Sequence, residues 1–247
     1  MNFIAPKDRL AIALDLPSEQ EAMRLVDRLG DTCRWFKVGM ELYYAAGNEI
    51  VTRLRDRGFD VFLDLKLHDI PNTVAGAVRS VAQAGASLLT LHASGGAAMM
   101  SAAAEAACAP GSPRLLAVTV LTSMDASQLA DIGITASPVD QVLRLAKLAT
   151  NSGIDGMVCS PEEVAMLRKQ TGLDSLLVIP GIRPAASALH PSPTDDQKRI
   201  ATPAQAIRDG ASLLVVGRPI TRAADPAAAA GAILNEIADE VVSQVKK

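Results

Sequence analysis

One local pattern recurs four times along the chain: a helical run ends in a glycine, and an apolar strand follows at once. Many helices end on a residue with left-handed backbone geometry, which glycine adopts without steric cost. Each repeat therefore predicts a joint between a helix and the strand after it. The joints are RDRGFDVFLDL (55–65), AQAGASLLTLHA (82–93), TNSGIDGMVCS (150–160) and IRDGASLLVVGR (207–218), with glycines at Gly58, Gly85, Gly153 and Gly210.

Further apolar strands bring the predicted number to eight, at 9–15, 34–39, 115–121 and 175–180. Alanine-rich amphipathic stretches between them predict helices at 18–29, 45–57, 72–84, 96–107, 138–151, 161–170, 203–208 and 226–245. Six polar residues are placed as N-caps: Ser18, Asn72, Ser137, Ser160, Thr202 and Asp225. Proline follows the last four of these directly. Strands that alternate with helices predict a parallel sheet.

The length of 247 residues and a hydrophobic content of 49% suit a large core. A closed (β/α)8 barrel needs roughly 250 residues. This length fits a closed barrel better than an open doubly wound sheet, and no Gly-x-Gly-x-x-Gly follows the first strand. We therefore predict an α/β fold, a single TIM-barrel domain over 1–247, with its active site at the C-terminal mouth of the strands.

Composition excludes several classes of partner. Aromatic residues are 3%, the net charge is −3 and no basic run occurs, which argues against nucleic acid. No apolar run approaches the roughly 18 to 20 residues of a membrane span, and MNFIAPKDRL lacks the apolar core of a signal peptide. We expect a cytoplasmic protein with a small-molecule ligand. Its dispersed cysteines, Cys33, Cys108 and Cys159, predict buried small hydrophobes rather than disulfides or a zinc site.

The first four predicted strands end in titratable residues although they are otherwise apolar. These residues are Asp15, Lys37, Asp64 with Lys66, and His92. Because the carboxyl ends of barrel strands meet at one mouth, the pattern predicts a charged active site. His92 could instead be a satisfied core histidine. Strand five runs into Thr122 and Ser123, which could merely cap the next turn.

The stretch DLKLHDIPNT (64–73) brackets a lysine between two carboxylates. Alternate residues of a strand share a face, so Asp64 and Lys66 point the same way as Phe62, and Leu63 points the other way. Taken alone, D-x-K-x-x-D could be a solvated ion-pair cluster, which stabilises a protein by roughly 0 to 1 kcal/mol. Its position at a barrel mouth favours a buried functional role instead.

The ends of strands seven and eight predict a phosphate site, the usual role of this part of the fold. Gly217 lets the backbone approach a ligand, and Arg218 follows it directly. Strand seven leads to Arg183, which opens a long loop predicted to close over the mouth as a lid (183–197). Gln197 lies at the far end of that loop and could close on the same phosphate.

These residues lie in motifs whose order and spacing resemble the orotidine 5'-phosphate decarboxylase family. The motifs are ALD (13–15), FKVG (36–39), DLKLHDIPNT, LHASGG (91–96), VTVLTSM (118–124), PGIRP (180–184), DQKRIATPAQAI (196–207) and VGRPIT (216–221). The resemblance implies a barrel of the ribulose-phosphate-binding superfamily. It also implies decarboxylation of orotidine 5'-monophosphate to UMP, in pyrimidine synthesis, without metal or cofactor.

Carried over by motif position, the resemblance implies a role for each residue. Lys66 protonates C6 of the pyrimidine, and Asp64 faces the departing carboxylate. Lys37 bridges Asp64 and the ribose, whose hydroxyls bind Asp15. The pyrimidine edge meets Thr122 and Ser123, and the phosphate meets Arg183, Gln197, Gly217 and Arg218. In the family, residues matching Asp69, Ile70 and Thr73 serve the neighbouring subunit, which implies a homodimer with shared active sites.

Two alternatives stay open from the sequence. The related enzymes 3-keto-gulonate-phosphate decarboxylase and hexulose-phosphate synthase also carry D-x-K-x-x-D, but they depend on magnesium and lack a lysine at the end of strand two. Lys37 therefore discriminates against them. The second alternative is a non-catalytic barrel that binds a phosphorylated ligand.

Overall fold

The computed structural model describes residues 5–185 and 199–245. Its strands are β1 (Leu10–Ala13), β2 (Trp35–Gly39), β3 (Asp60–Leu67), β4 (Leu88–His92), β5 (Arg114–Val118), β6 (Gly156–Val158), β7 (Leu176–Ile179) and β8 (Leu213–Val216). Each strand pairs in parallel with the next one along the chain, and β8 pairs with β1 to close the barrel. The predicted (β/α)8 barrel is confirmed.

The two faces of the strands pack into two separate cores, as a period of two requires. Outward-facing residues such as Leu10, Val61 and Leu63 pack against the helices. Inward-facing residues fill the barrel itself: Ala11, Ala13, Trp35, Phe62, Leu88, Leu116, Leu176, Val178, Leu213 and Val215. The barrel is therefore a packed core rather than a pore, and a ligand can approach the inward face at the mouth.

Helices follow every strand. They are α1 (Glu19–Leu29), α2 (Met40–Ala46), α3 (Asn48–Asp56), α4 (Pro71–Ala84), α5 (Gly96–Ala106), α6 (Ala126–Asp131), α7 (Pro138–Asn151), α8 (Val164–Thr171), α9 (Pro203–Arg208), α10 (Arg218–Thr221) and α11 (Pro226–Val245). The predicted joint glycines all have positive φ, at 84°, 82°, 84° and 103° for Gly58, Gly85, Gly153 and Gly210. The four predicted joints are confirmed.

Most of the predicted helix starts are confirmed by side-chain hydrogen bonds. Backbone N–H groups of the first turn donate to Ser18, Ser137, Thr202 and Asp225. The N-cap prediction for Asn72 is wrong: α4 begins at Pro71, and Ile70 is its N-cap. Proline has no N–H and a φ suited to a helix, so it occupies the first helical position and moves the start upstream.

The predicted helices differ from the structure in three ways. The helix predicted at 45–57 corresponds to α3, and most of α2 before it was not predicted; Gly47 separates the two because its φ of 63° interrupts the helical backbone. The helix predicted at 161–170 opens with a 3-10 turn, Pro161–Glu163, before α8. Short helices in the loops after β5 and β8, α6 and α10, were not predicted because they have too few residues for a periodic pattern.

The cysteines divide by location. Cys33 and Cys159 are buried, as predicted, whereas Cys108 is exposed just beyond the end of α5. The prediction of burial is therefore wrong for Cys108, since a turn that leaves a helix end faces solvent. Among the described helices, none combines the length and apolar character needed to cross a membrane.

Candidate active site

The C-terminal mouth of the barrel holds a cavity of about 540 Å³. Sites for small molecules span roughly 300 to 1,000 Å³, so the size suits a small ligand. Inward-facing apolar residues form part of its lining: Phe62, Val118, Val158 and Val215. Charged side chains line it as well: Asp15, Lys37, Glu41, Asp64, Lys66, Arg183, Arg218 and Arg222.

β3 sends alternate residues into this cavity. Phe62 belongs to the barrel interior, and Asp64 and Lys66 follow it on the same face. Val61 and Leu63 lie in the outer core, so the predicted division of β3 into a charged and an apolar face is confirmed. The side chains of Asp64 and Lys66 are 14% and 27% exposed, which rules out a fully solvated ion-pair cluster.

Four residues from β2, β3 and the end of β1 form a row of alternating charge. Lys37 Nζ lies 2.6 Å from Asp15 Oδ1 and 3.8 Å from Asp64 Oδ2. Lys66 Nζ donates to both carboxylate oxygens of Asp64, at 2.9 Å and 2.8 Å. We refer to Asp15, Lys37, Asp64 and Lys66 as the charged row. Each ammonium in the row has a carboxylate neighbour, and Asp64 lies between two ammonium groups.

The carboxyl group of Asp64 ionises unusually easily for a buried acid. Burial alone raises its pKa, because the charged form loses water. The charges of Lys37 and Lys66, with hydrogen bonds from Lys66 and Thr90, outweigh burial and bring the pKa of Asp64 below its ordinary value. Asp64 is therefore a carboxylate at neutral pH, and it carries its negative charge inside the cavity.

Three guanidinium groups line the cavity near the ends of β7 and β8. They belong to Arg183, Arg218 and Arg222. The backbone N–H of Arg183 donates to the Ala201 carbonyl at 2.9 Å, which fixes the start of the loop after β7. A Cβ built on Gly217 would lie 3.9 Å from Asp15 Oδ2, so β8 comes close to the charged row. Guanidinium groups match the geometry of phosphate, and this end of the cavity can hold an anion.

His92 lies at the end of β4, and its ring centroid is 5.3 Å from that of His68. Burial, followed by the charges of His68 and Lys66, lowers the pKa of His92 below its ordinary value. The imidazole is therefore neutral at pH 7. In the part of the chain that the structure describes, no group of three or more His, Cys, Asp or Glu residues is placed to hold a metal ion.

A model of the orotidine 5'-phosphate decarboxylase / HUMPS family matches residues 8–233 of the chain. The chain belongs to this family. It is 54% identical to an orotidine 5'-phosphate decarboxylase from Halorhodospira halophila, over 93% of this chain and 96% of that protein. It is 50% identical to the enzyme of the same name from Nitrosospira multiformis, over 94% of each chain.

A solved structure agrees with the sequence relatives. The crystal structure of orotidine 5'-phosphate decarboxylase from Lactobacillus acidophilus matches with a TM-score of 0.81 and 42% identity. The match covers 93% of this chain and 98% of that one. The family and the fold implied by the sequence motifs are both confirmed.

The cavity brings together most of the residues predicted from the motifs of the orotidine 5'-phosphate decarboxylase family. These are Asp15, Lys37, Asp64, Lys66, Thr122, Arg183, Gly217 and Arg218. Ser123 is exposed and is not part of the lining. Gln197 lies outside the described residues, and so does residue range 186–197 of the predicted lid.

Three predicted residues of the decarboxylase motif lie outside the cavity of their own chain. Asp69, Ile70 and Thr73 are exposed at the start of α4, and Ile70 is 67% exposed. None of the three belongs to the cavity lining. The Asp69 carboxylate accepts a hydrogen bond from the Ile70 N–H at 2.6 Å, which orients it at the entry to the helix.

Sequence reasoning missed several residues of this family member's site. Arg222 follows Arg218 by four residues, a spacing that places both on one side of a helical turn and could have revealed it. Thr90 lies two residues before His92 on β4, so both share the inward face of the strand. The alternation of faces along a strand could therefore have pointed to Thr90. Gly39 also lines the cavity, close to Asp15 and Lys37. No local pattern indicated this, because the contact with Asp15 depends on how neighbouring strands pair.

Proposed function

We propose that Lys66 is the proton donor with which this chain converts orotidine 5'-monophosphate to UMP. The supporting observation is the charged row at the mouth of the barrel. Lys66 ends the row, lines the cavity and is held by both oxygens of Asp64. In this proposal its ammonium delivers a proton to C6 as the carbon–carboxylate bond breaks.

Loss of CO₂ from C6 leaves a carbanion that no adjacent carbonyl can stabilise. Its stabilisation then has to come from charge that the protein positions in advance. One ammonium about 4 Å away contributes on the order of 4 kcal/mol at an effective dielectric constant of 20. Proton transfer from Lys66 completes the reaction: the electron pair of the broken bond takes the proton and forms the C6–H bond of UMP.

The rest of the row orients the substrate around that step. Asp64 faces the departing carboxylate, and Lys37 bridges Asp64 and the ribose. Asp15 binds the ribose hydroxyls from the other side of Lys37, to which it is bonded at 2.6 Å. Thr122 lies at the pyrimidine edge. This fixed arrangement lowers the entropic part of the barrier because the reacting groups need no rearrangement.

The phosphate group is bound at the ends of β7 and β8. Arg183 and Arg218 supply charge, and the backbone at Gly217 permits close approach. Binding energy from the phosphate, remote from the bond that breaks, is used to hold the base against the charged row. We place this reaction in the cytoplasm, as the sequence predicts.

The active site is completed by a second copy of the chain. Asp69, Ile70 and Thr73 are exposed and lie outside the cavity of their own subunit, which suits a role in the site of the neighbour. We therefore propose a homodimer with two shared sites.

The decisive measurement is the loss of absorbance of orotidine 5'-monophosphate when the purified protein is added, with EDTA present. We expect turnover by the native chain and a loss of at least about 1,000-fold for Lys66→Ala, since both charge stabilisation and the proton are removed. Lys147→Ala changes an exposed lysine of α7 and serves as the control. Activity that disappears on chelation would instead favour the magnesium-dependent sugar-phosphate enzymes.

A further inference from the structure

The pairing register between β3 and β4 shifts next to Lys66. Leu63 pairs with Leu89 and Leu67 pairs with Leu91, so three residues of β3 face one residue of β4. The three are Asp64, Leu65 and Lys66, and the one is Thr90. A regular ladder cannot continue across such a bulge, because its extra N–H and C=O groups have no backbone partners at the normal spacing.

The bulge forces an unusual backbone conformation on Lys66. Its φ is 51°, and it is the one residue other than glycine with positive φ in the described part of the chain. A side chain with a Cβ adopts this region at a cost, so the conformation persists only where its surroundings hold it in place. The structure must therefore contain contacts that stabilise the bulge.

The hydroxyl of Thr90 makes two such contacts. It accepts a hydrogen bond from the backbone N–H of Lys66 at 2.8 Å, and it donates one to Asp64 Oδ1 at 3.0 Å. The direction of the second bond is fixed because an ionised carboxylate can only accept. Thr90 is fully buried, so water does not compete for these groups.

We propose that Thr90 is a positioning residue for catalysis: its single hydroxyl fixes the β3 bulge and the Asp64 carboxylate together, and so aims Lys66. This inference rests on the proposed role of Lys66 as proton donor. Thr90 is not part of the cavity lining, and it therefore acts through Asp64 and Lys66 rather than by touching the substrate.

Removing the hydroxyl has a predictable chemical effect. Thr90→Val keeps the shape of the side chain but leaves the Lys66 N–H without its partner and removes one donor from Asp64. Because Thr90 does not contact the substrate, kcat should fall with little change in KM, the pattern of an interaction that matters for the chemical step. A displacement of about 1 Å in a reacting group can cost on the order of 100-fold in rate.

The pH dependence of kcat gives a second test of the role of Thr90. The hydrogen bond from Thr90 is one of the interactions that lower the pKa of Asp64. Loss of this bond therefore raises the pKa of Asp64. The carboxylate is then protonated at a higher pH, and the acid side of the kcat profile shifts to higher pH. The other titratable groups around Asp64 are unchanged in the variant: Lys37, Lys66, His92 and, through Lys37, Asp15.

The test compares three variants by steady-state kinetics across pH, with circular dichroism to check folding. We expect Thr90→Val to lose about 10- to 100-fold in kcat with KM within about threefold. Thr90→Ser keeps the hydroxyl and should stay within about threefold of the native kcat with an unshifted profile. Thr119→Val is the matched control, since Thr119 is also buried but donates to the Val158 carbonyl.

The outcomes separate the inference from the proposed function. A Thr90→Val variant with native kcat, or one whose loss is equalled by Thr119→Val without any shift of the profile, overturns the positioning role. If Thr90→Val does not fold, Thr90→Ala replaces it under the same criteria. A native chain that leaves orotidine 5'-monophosphate intact overturns the proposed function, and the inference with it.

Discussion

The charged row keeps its spacing because Gly39 has no side chain. A Cβ at this position would lie 2.8 Å from Asp15 Oδ1 and 2.9 Å from Lys37 Nζ, closer than atoms pack without moving. Both of those atoms are the far ends of side chains and not backbone atoms. An added methyl group would therefore displace the ion pair and leave the barrel intact.

Gly39→Ala is expected to fold normally and to lose about 10- to 100-fold in kcat/KM, because Asp15 and Lys37 no longer reach their positions. Gly231→Ala is the control, since a Cβ there meets no atom within 4 Å. Steady-state kinetics with orotidine 5'-monophosphate and a thermal melt of both variants test this. Equal activity of the two variants would contradict the steric role of Gly39.

Loops after three consecutive strands are held together by one arginine. Arg199, in the connection between β7 and α9, forms an ion pair with Glu163 after β6, and its Nη2 donates to the Leu121 carbonyl after β5 at 3.2 Å. Glu163 also accepts from the Ser160 N–H at 2.7 Å. Leu121 directly precedes Thr122, so this ion pair supports one wall of the active site.

Burial decides how much that ion pair matters. The side chains of Arg199 and Glu163 are 11% and 1% exposed. Removal of one partner leaves the other charge buried and unpaired, which costs about 3 to 5 kcal/mol. We expect Glu163→Ala to lower the free energy of unfolding by this amount, as measured by urea denaturation.

The comparison for this prediction is an exposed ion pair of the same chain. Arg57 and Asp27 are 38% and 63% exposed, and exposed pairs contribute about 0 to 1 kcal/mol. Asp27→Ala should therefore barely move the urea midpoint. Similar shifts for Asp27→Ala and Glu163→Ala would show that burial does not govern the effect.

At the scale of the whole molecule, the proposed dimer can be tested by mixing two inactive proteins. Lys66→Ala lacks the proton donor of its own site, and Asp69→Ala lacks the residue it lends to its neighbour. After random exchange of subunits, half of the dimers are mixed and each mixed dimer has one intact site, so about a quarter of native activity should return.

The control for that experiment uses two residues of the same site. Mixing Lys66→Ala with Asp64→Ala places one defect in each site of a mixed dimer, because both residues serve their own subunit. No activity should return. If the pair containing Asp69→Ala also stays inactive after exchange, Asp69 does not act across an interface.

The order of elements and most of the charged strand ends could be predicted because they depend on local patterns. A glycine after a helix, a period of two in a strand and a polar residue before a proline each act within a few residues of chain. Gly58 and Gly85 marked their joints correctly for this reason. Asn72 was misplaced because the proline before it competed for the same helix start.

By itself, the sequence determined that this chain forms a barrel of eight strands and that Asp15, Lys37, Asp64 and Lys66 lie at its mouth. Only the tertiary structure decided their distances. The 3.8 Å between Lys37 and Asp64, the crowding at Gly39 and the bulge opposite Thr90 all depend on the register between neighbouring strands. Register is set by packing across the sheet. The sequence of one strand alone does not specify which residues of the neighbouring strand lie beside it.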